Sequence, residues 1–418
     1  MARITLSTTG SLGDVLPFLA VGAELRARGH AVRFLLPGEF HSMAAGDGYD
    51  VAPAGFEISP RTLRALGKDW SRAGGLVLMR SAMNELVIPA VAEAHEAMIQ
   101  AAADSDLLVT HANQIAAQMV AEQTGMRWAV ISLFPMVFPT TQGLLSPPLP
   151  RLPGPLRVPG QRAALAVMLQ GSGLLLGDRA LNRFRREQGL PPRRGYFMGA
   201  ALSADRVVVP VPDFVAPRPT DWPDNICMTG FCPGALPGAN VPADVEHFLT
   251  DGPPPVVVTL GSALSTSTTQ RLEQIGEVLD RLGVRALFLV GQDPLTMTGF
   301  QDRPGAAAFA PLASVLPRCR SIIHHGGYGT TAAALGAGVP SVVTPFMPDQ
   351  QWYGHRIEAV GAGVVVAPRR LTRALPSAVD YVLAHEHQLQ AKTKAIADRL
   401  EDLDGVATTA DALEDLLA

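Results

Sequence analysis

Residues 321–332 read Ser321-Ile322-Ile323-His324-His325-Gly326-Gly327-Tyr328-Gly329-Thr330-Thr331-Ala332. An apolar run ends in two histidines and a glycine-rich turn, and an alanine-rich helical pattern comes next. The free N–H groups at a helix start, at the positive end of its dipole, attract an anion before any side chain contributes. Glycine lets the backbone come close to that anion, and His and Thr add donors. Phosphate or pyrophosphate is the expected ligand. A metal site at the two histidines is the rival, but no third ligand occurs nearby at helical or hairpin spacing. Adjacent strand residues face opposite ways, so one histidine is expected to face the ligand and the other the interior.

Three further segments carry polar chemistry. Gly10-Ser11-Leu12-Gly13-Asp14 comes after the first apolar run. It is shaped like a nucleotide-binding turn but lacks the full G-x-G-x-x-G spacing. Asp14 has two readings, a cap for the helix starting there or a general base for an incoming hydroxyl. Asp349-Gln350, after the run Pro340–Phe346, offers acceptors and donors suited to sugar hydroxyls, or is an ordinary polar loop. Phe309, upstream of the histidines, would by itself be assigned to the core.

Elements that hold such residues can be read from hydrophobic runs. Ile4–Ser7, a helical pattern through Phe18, Leu19, Gly22 and Leu25, and Ala31–Leu36 make a strand–helix–strand unit, which implies parallel pairing. Leu107–Val109, Trp128–Ile131 and Arg206–Val209 are further buried-strand candidates, with helices at 88–103 and 114–123. Prolines and glycines then crowd together, as in Pro217-Arg218-Pro219 and Pro233–Gly238, and block regular structure. After them the order restarts: strand Pro255–Leu260, a Gly-Ser turn, helix 269–281 and strand Ala286–Val290. The fold expected is α/β, two Rossmann-like parallel-sheet domains facing across a cleft. The boundaries are 1–215 and 241–400, a Pro/Gly-rich linker at 216–240, and a C-terminal helix at 401–418 whose partner is not legible.

With 418 residues the chain is expected to hold about two or three domains. Hydrophobic content of 47%, 17% charged residues and a net charge of −4, with no Lys/Arg-rich run, argue against nucleic acid as the partner. Anion recognition must then be local. The three cysteines, Cys227, Cys232 and Cys319, fit no zinc pattern and suit a reducing cytosol. The N-terminus lacks a signal-peptide layout, and no apolar run approaches the roughly 20 residues of a membrane helix, so a cytoplasmic monomer or homodimer is expected.

The order Phe309-Ala310-Pro311, His325-Gly326-Gly327, Asp349-Gln350 resembles the donor-binding signature of glycosyltransferases that use nucleotide sugars. More narrowly it is similar to the GT-B superfamily of plant and mammalian glucosyl- and glucuronosyltransferases, sterol glucosyltransferases and bacterial antibiotic glycosyltransferases. The opening Thr9-Gly10-Ser11-Leu12-Gly13-Asp14-Val15-Leu16-Pro17 resembles the N-terminal motif of the sterol and antibiotic members. The two motifs lie on opposite sides of the linker and span nearly the whole chain.

The resemblance implies roles. Phe309 would stack on the nucleotide base, and the backbone at Ala310 and Leu312 would read its edge. His325, Gly327, Thr330 and Thr331 would contact the donor diphosphate. Ser262 would add a contact, and Gly13 would lie on the donor side. Asp349 and Gln350 would hydrogen-bond sugar hydroxyls. Asp14 would be the general base in a direct displacement that inverts the anomeric carbon, with neither metal nor resident cofactor. His111 either pairs with Asp14, identities exchanged relative to the plant enzymes, or is a lone buried histidine. The donor would be a UDP- or dTDP-sugar.

The acceptor is expected to be a lipophilic small molecule of the natural-product kind. The segment from Leu133 to Gly177 is apolar and poor in charge, and Phe134, Met136, Met168 and the separate Trp70 would line its pocket. Ordinary core is the alternative for each of them. A nucleotide-sugar epimerase of the same fold, or a catalytically silent partner protein, are the competing functions.

Overall fold

The computed structural model describes residues 1–55, 88–138, 140, 142, 178–195, 199–234, 239–261, 266–291 and 294–418, with only the backbone at 266–267 and 294–295. Among the described residues two parallel sheets form. The first contains β1 (Arg3–Ser7), β2 (Ala31–Leu36), β3 (Asp50–Pro53), β4 (Leu107–His111), β5 (Arg127–Ile131), β6 (Arg206–Val209) and β7 (Ile226–Met228). Its spatial order is β3-β2-β1-β4-β5-β6-β7. The second contains β8 (Val256–Thr259), β9 (Ala286–Leu289), β10 (Ala306–Ala307), β11 (Ser321–His324), β12 (Ser341–Val343) and β13 (Gly363–Val365), in the order β10-β9-β8-β11-β12-β13.

Apolar β-branched runs give strands buried on both faces, as parallel sheets require. In β8, Val256 and Val258 pack with Leu272, Ile275 and Phe288 on one side, while Val257 packs with Leu287, Ile322 and Ala334 on the other. The first sheet is built alike: Ile4, Leu6, Phe18, Phe34, Val109 and Val207 are fully buried.

Helices α1 (Leu12–Ala27), α2 (Thr266–Arg281), α3 (Tyr328–Gly336) and α4 (Pro348–Ala359) start at the carboxyl ends of strands, and α5 (Gly405–Glu414) lies near the end of the chain. In both sheets chain order reverses beside the first strand. β1 lies between β2 and β4, and β8 lies between β9 and β11. The crevice outside the carboxyl ends of such strand pairs is where open α/β sheets bind ligands. The sequence places Gly10–Asp14 after β1, His111 at the end of β4, Gly261 after β8 and His325 after β11.

Two boundaries differ from those expected. Inside the stretch expected as linker, Ile226–Met228 pairs with β6 as the edge strand of the first sheet. An edge strand tolerates nearby prolines because one side needs no ladder bonds. The C-terminal helix crosses back to the first half, where α5 packs on α1 and β6. Arg28 donates to Asp411 and Glu414, His30 pairs with Glu414, and Thr229 meets Thr409. The two halves also touch directly: the Tyr328 hydroxyl accepts from the Cys232 N–H, and the Tyr353 hydroxyl donates to the Leu133 carbonyl.

Candidate active site

Asp14 stands in the first turn of α1, and Gly10 determines how it sits. Gly10 has φ +122°, and a Cβ there would lie 2.4 Å from Asp14 Oδ2. Only glycine allows the turn to wrap the carboxylate this closely. The Ser11 N–H and hydroxyl both donate to Oδ2, at 2.8 and 3.0 Å. Asp14 therefore does cap the helix, but with one oxygen only. Its side chain remains 16% exposed, and Oδ1 lies 3.9 Å from His111 Nε2. Burial raises the carboxyl from 3.8 to about 6, against the lowering effect of the Ser11 bonds.

The His111 ring is fully buried, tilted against Phe18 and met edge-on by Phe134. Its Nδ1 accepts the Asn113 N–H at 3.2 Å, which assigns the ring proton to Nε2. Burial lowers its pKa to about 4, so the ring is neutral at pH 7. Nε2 has no hydrogen-bond partner among the described residues, and it is the atom nearest Asp14 Oδ1. Asn113 also ties the two loops together, since its amide donates to the Thr9 carbonyl and accepts from the Thr9 hydroxyl. Asn113 is not singled out by sequence, although it stands two residues beyond His111 in the same loop.

On the facing sheet, His324 and His325 part as strand geometry requires. His324 is sealed inside, accepts the Gly326 N–H on Nδ1 and is held neutral by burial, near a pKa of 3. The His325 ring stacks on Phe346, with centroids 6.0 Å apart, and lies against Gly261 and Gly327. Burial lowers its pKa to about 4, and Nδ1 is buried without a partner among the described residues. Gly326, at φ +89°, brings the turn against the Gln350 backbone, where a Cβ would lie 2.6 Å from the carbonyl oxygen. α3 then starts directly after Gly327, its N-cap, and Thr330 is half-buried in its first turn. Thr331 is fully buried and its hydroxyl has no partner among the described residues, so it does not face the crevice as a diphosphate contact would.

Asp349 lies in the first turn of α4. Burial raises its carboxyl to about 6, and the charge of Asp14 adds to that effect across the two halves. The Gln350 side-chain oxygen accepts the Phe346 and Met347 N–H groups, at 3.0 and 3.1 Å. That oxygen caps α4, and the amide NH2 is the group left for a sugar hydroxyl. Phe309 and Leu312 are half-buried and Ala310 buried at the exit of β10. Phe134 and Met136 are half-buried around the short turn after β5. Ser262, Trp70 and Met168 lie outside the described residues.

Among the described residues no three His, Cys, Asp or Glu side chains gather around one point, and no helix is long and apolar enough to cross a membrane. The three cysteines are free, and burial pushes the Cys232 and Cys319 thiols up to about 12.

Compared with known proteins, residues 300–403 match the C-terminal domain of the family of erythromycin biosynthesis protein CIII-like proteins. The chain is 31% identical over 384 residues to O-mycaminosyltylonolide 6-deoxyallosyltransferase of Streptomyces fradiae, covering 88% of this chain and 86% of that protein. It is 29% identical to glycosyltransferase GtfE of Amycolatopsis orientalis over 427 residues, 98% of this chain and 97% of the relative. Its fold matches spinosyn rhamnosyltransferase SpnG complexed with thymidine diphosphate, with TM-score 0.66, 18% identity, and 99% and 100% of the two chains covered.

Proposed function

The chain belongs to the GT-B glycosyltransferases of the antibiotic-pathway type, and from that premise we propose that it moves a sugar from a UDP- or dTDP-sugar to a hydroxyl of a lipophilic small molecule, with inversion at the anomeric carbon. One observation carries the reading. A carboxylate with one oxygen fastened and the other open sits at the switch point of the first sheet, and within its electrostatic reach lies Asp349, in the first turn of α4 on the second sheet.

A base must be ionised at the working pH and still attract a proton. With its pKa raised to about 6, Asp14 meets both demands near pH 7. It takes the acceptor's proton on Oδ1 as that oxygen attacks the sugar and the bond to the diphosphate breaks. His111, neutral with its N–H toward Oδ1, acts as a positioning residue that holds the carboxylate's orientation. On the other side the α3 helix start and His325 steady the charge that builds on the departing diphosphate. Asp349 and the Gln350 amide face the sugar hydroxyls, and Phe309 faces the base. The half-buried Phe134 and Met136 form the apolar side of the acceptor pocket. Neither a metal nor a resident cofactor enters these steps.

The test is incubation of the purified protein with UDP- and dTDP-sugars and a panel of lipophilic alcohols and phenols, read by mass spectrometry and anomeric coupling constants. A β-linked product from an α-linked donor, unaffected by chelator, is expected. An epimerised donor without glycoside would replace the reading with an epimerase, and no nucleotide binding at all would remove both.

A further inference from the structure

Arg271 lies in the second turn of α2, the helix that leaves the carboxyl end of β8. Helical side chains lean toward the N-terminus of their helix. Arg271 therefore reaches back to the strand ends and not out along the helix. Its guanidinium carbon lies 5.4 Å from the centre of the Phe346 ring, and Phe346 in turn stacks on His325. Arg271, Phe346 and His325 thus form a row along the crevice edge of the second sheet.

The guanidinium lacks what buried cations normally have. Its Nη1 is buried without a hydrogen-bond partner, and no carboxylate lies within ion-pair distance among the described residues. Burial lowers its pKa with no neighbouring charge to offset the effect, yet arginine keeps its proton in proteins. Three other arginines of this half are paired with carboxylates: Arg303 with Asp280, Arg318 with Glu246 and Arg320 with Glu386. Arg356 also lacks a carboxylate among the described residues, but it stands over Trp352 in the last turn of α4, far along the helix from the strand ends. A half-buried guanidinium with an unpartnered Nη1, in a row with Phe346 and His325 ahead of the α3 start, calls for an anion.

We propose that Arg271 binds the donor's diphosphate and neutralises the charge that grows on it as the sugar leaves. The planar fork spans two phosphate oxygens, which backbone N–H groups and a neutral His325 hold without supplying positive charge. This rests on the nucleotide-sugar reading. It also gives a chain of net charge −4 a local cation for a dianionic ligand.

The experiment is calorimetric titration of UDP, dTDP, uridine and thymidine into the wild type and the variants R271M, R271Q and R271K, with melting temperatures of the free proteins read alongside. Removing the charge in R271M and R271Q should weaken diphosphate binding roughly 10- to 100-fold while nucleoside binding changes less than about 2-fold, and R271K should recover part of the loss. Diphosphate affinity unchanged in R271Q, or an equal loss for diphosphates and nucleosides, would overturn the proposal. If R271M does not fold, R271Q and R271K decide by the same criterion. A wild type that binds neither diphosphate overturns the nucleotide-sugar reading itself, a result distinct from failure of the variants alone.

Discussion

Asp14→Asn should make the protein more stable while removing its activity. In the folded chain the carboxyl is raised from 3.8 to about 6, chiefly by burial. Holding it ionised therefore costs about 3 kcal/mol relative to the unfolded chain. The sign comes from proton binding. The folded state holds the proton more tightly, so no penalty exists below about pH 4; it grows as pH rises and is complete above about pH 6. Asparagine carries no charge and its carbonyl can still accept the two Ser11 bonds, so the variant escapes the penalty. Some of the gain is lost because the amide NH2 meets the N–H of His111, which leaves a net stabilisation of about 1–3 kcal/mol at about pH 8. The burial of His111 is common to both proteins and cancels in the difference. Urea unfolding of wild type and variant at half-unit pH steps measures it. The difference should be near zero at the acid end, rise to about pH 6 and then stay level. A variant no more stable than wild type at mildly alkaline pH, or a difference independent of pH, would refute the reasoning.

The same carboxyl sets the acid limb of activity: kcat/KM should fall as pH drops through about 6, and His111→Ala should move that limb to lower pH as water replaces the ring. A pH–rate profile of unchanged shape would remove the Asp14–His111 pairing. Gly10→Ala forces a Cβ into Asp14 Oδ2 at a left-handed φ, which costs about 1–3 kcal/mol of strain; kcat should fall while diphosphate affinity, read by titration, stays within about 2-fold.

Most strands are legible because buried parallel strands are uninterrupted apolar runs, and β2 and β6 have the same limits in sequence and structure. β7 is not, because three residues among prolines carry no periodicity and only pairing with β6 makes them a strand. A helix at the C-terminal end is legible, but the sequence does not say which surface it covers. For Asp14 the sequence poses capping against catalysis as alternatives, whereas a carboxylate has two oxygens and can serve both. Gln350 shows the converse: its type suits a sugar, yet its side-chain oxygen is held by the backbone. Arg271 has no signal at all. An arginine in a polar helix is ordinary until the positions of every carboxylate around it are known.

The return of α5 to α1 also constrains how the chain comes into being. Residues 405–414 emerge from the ribosome after both sheets have been made, yet they cover a helix built from residues 12–27. Until then the outer side of α1, with Arg28 and His30, awaits Asp411 and Glu414. The first half can collapse early but gains its last surface only after the second half has been made. Expressing residues 1–240 alone would therefore yield a sheet with an uncovered flank, and the tail supplied as a separate peptide should bind and protect it.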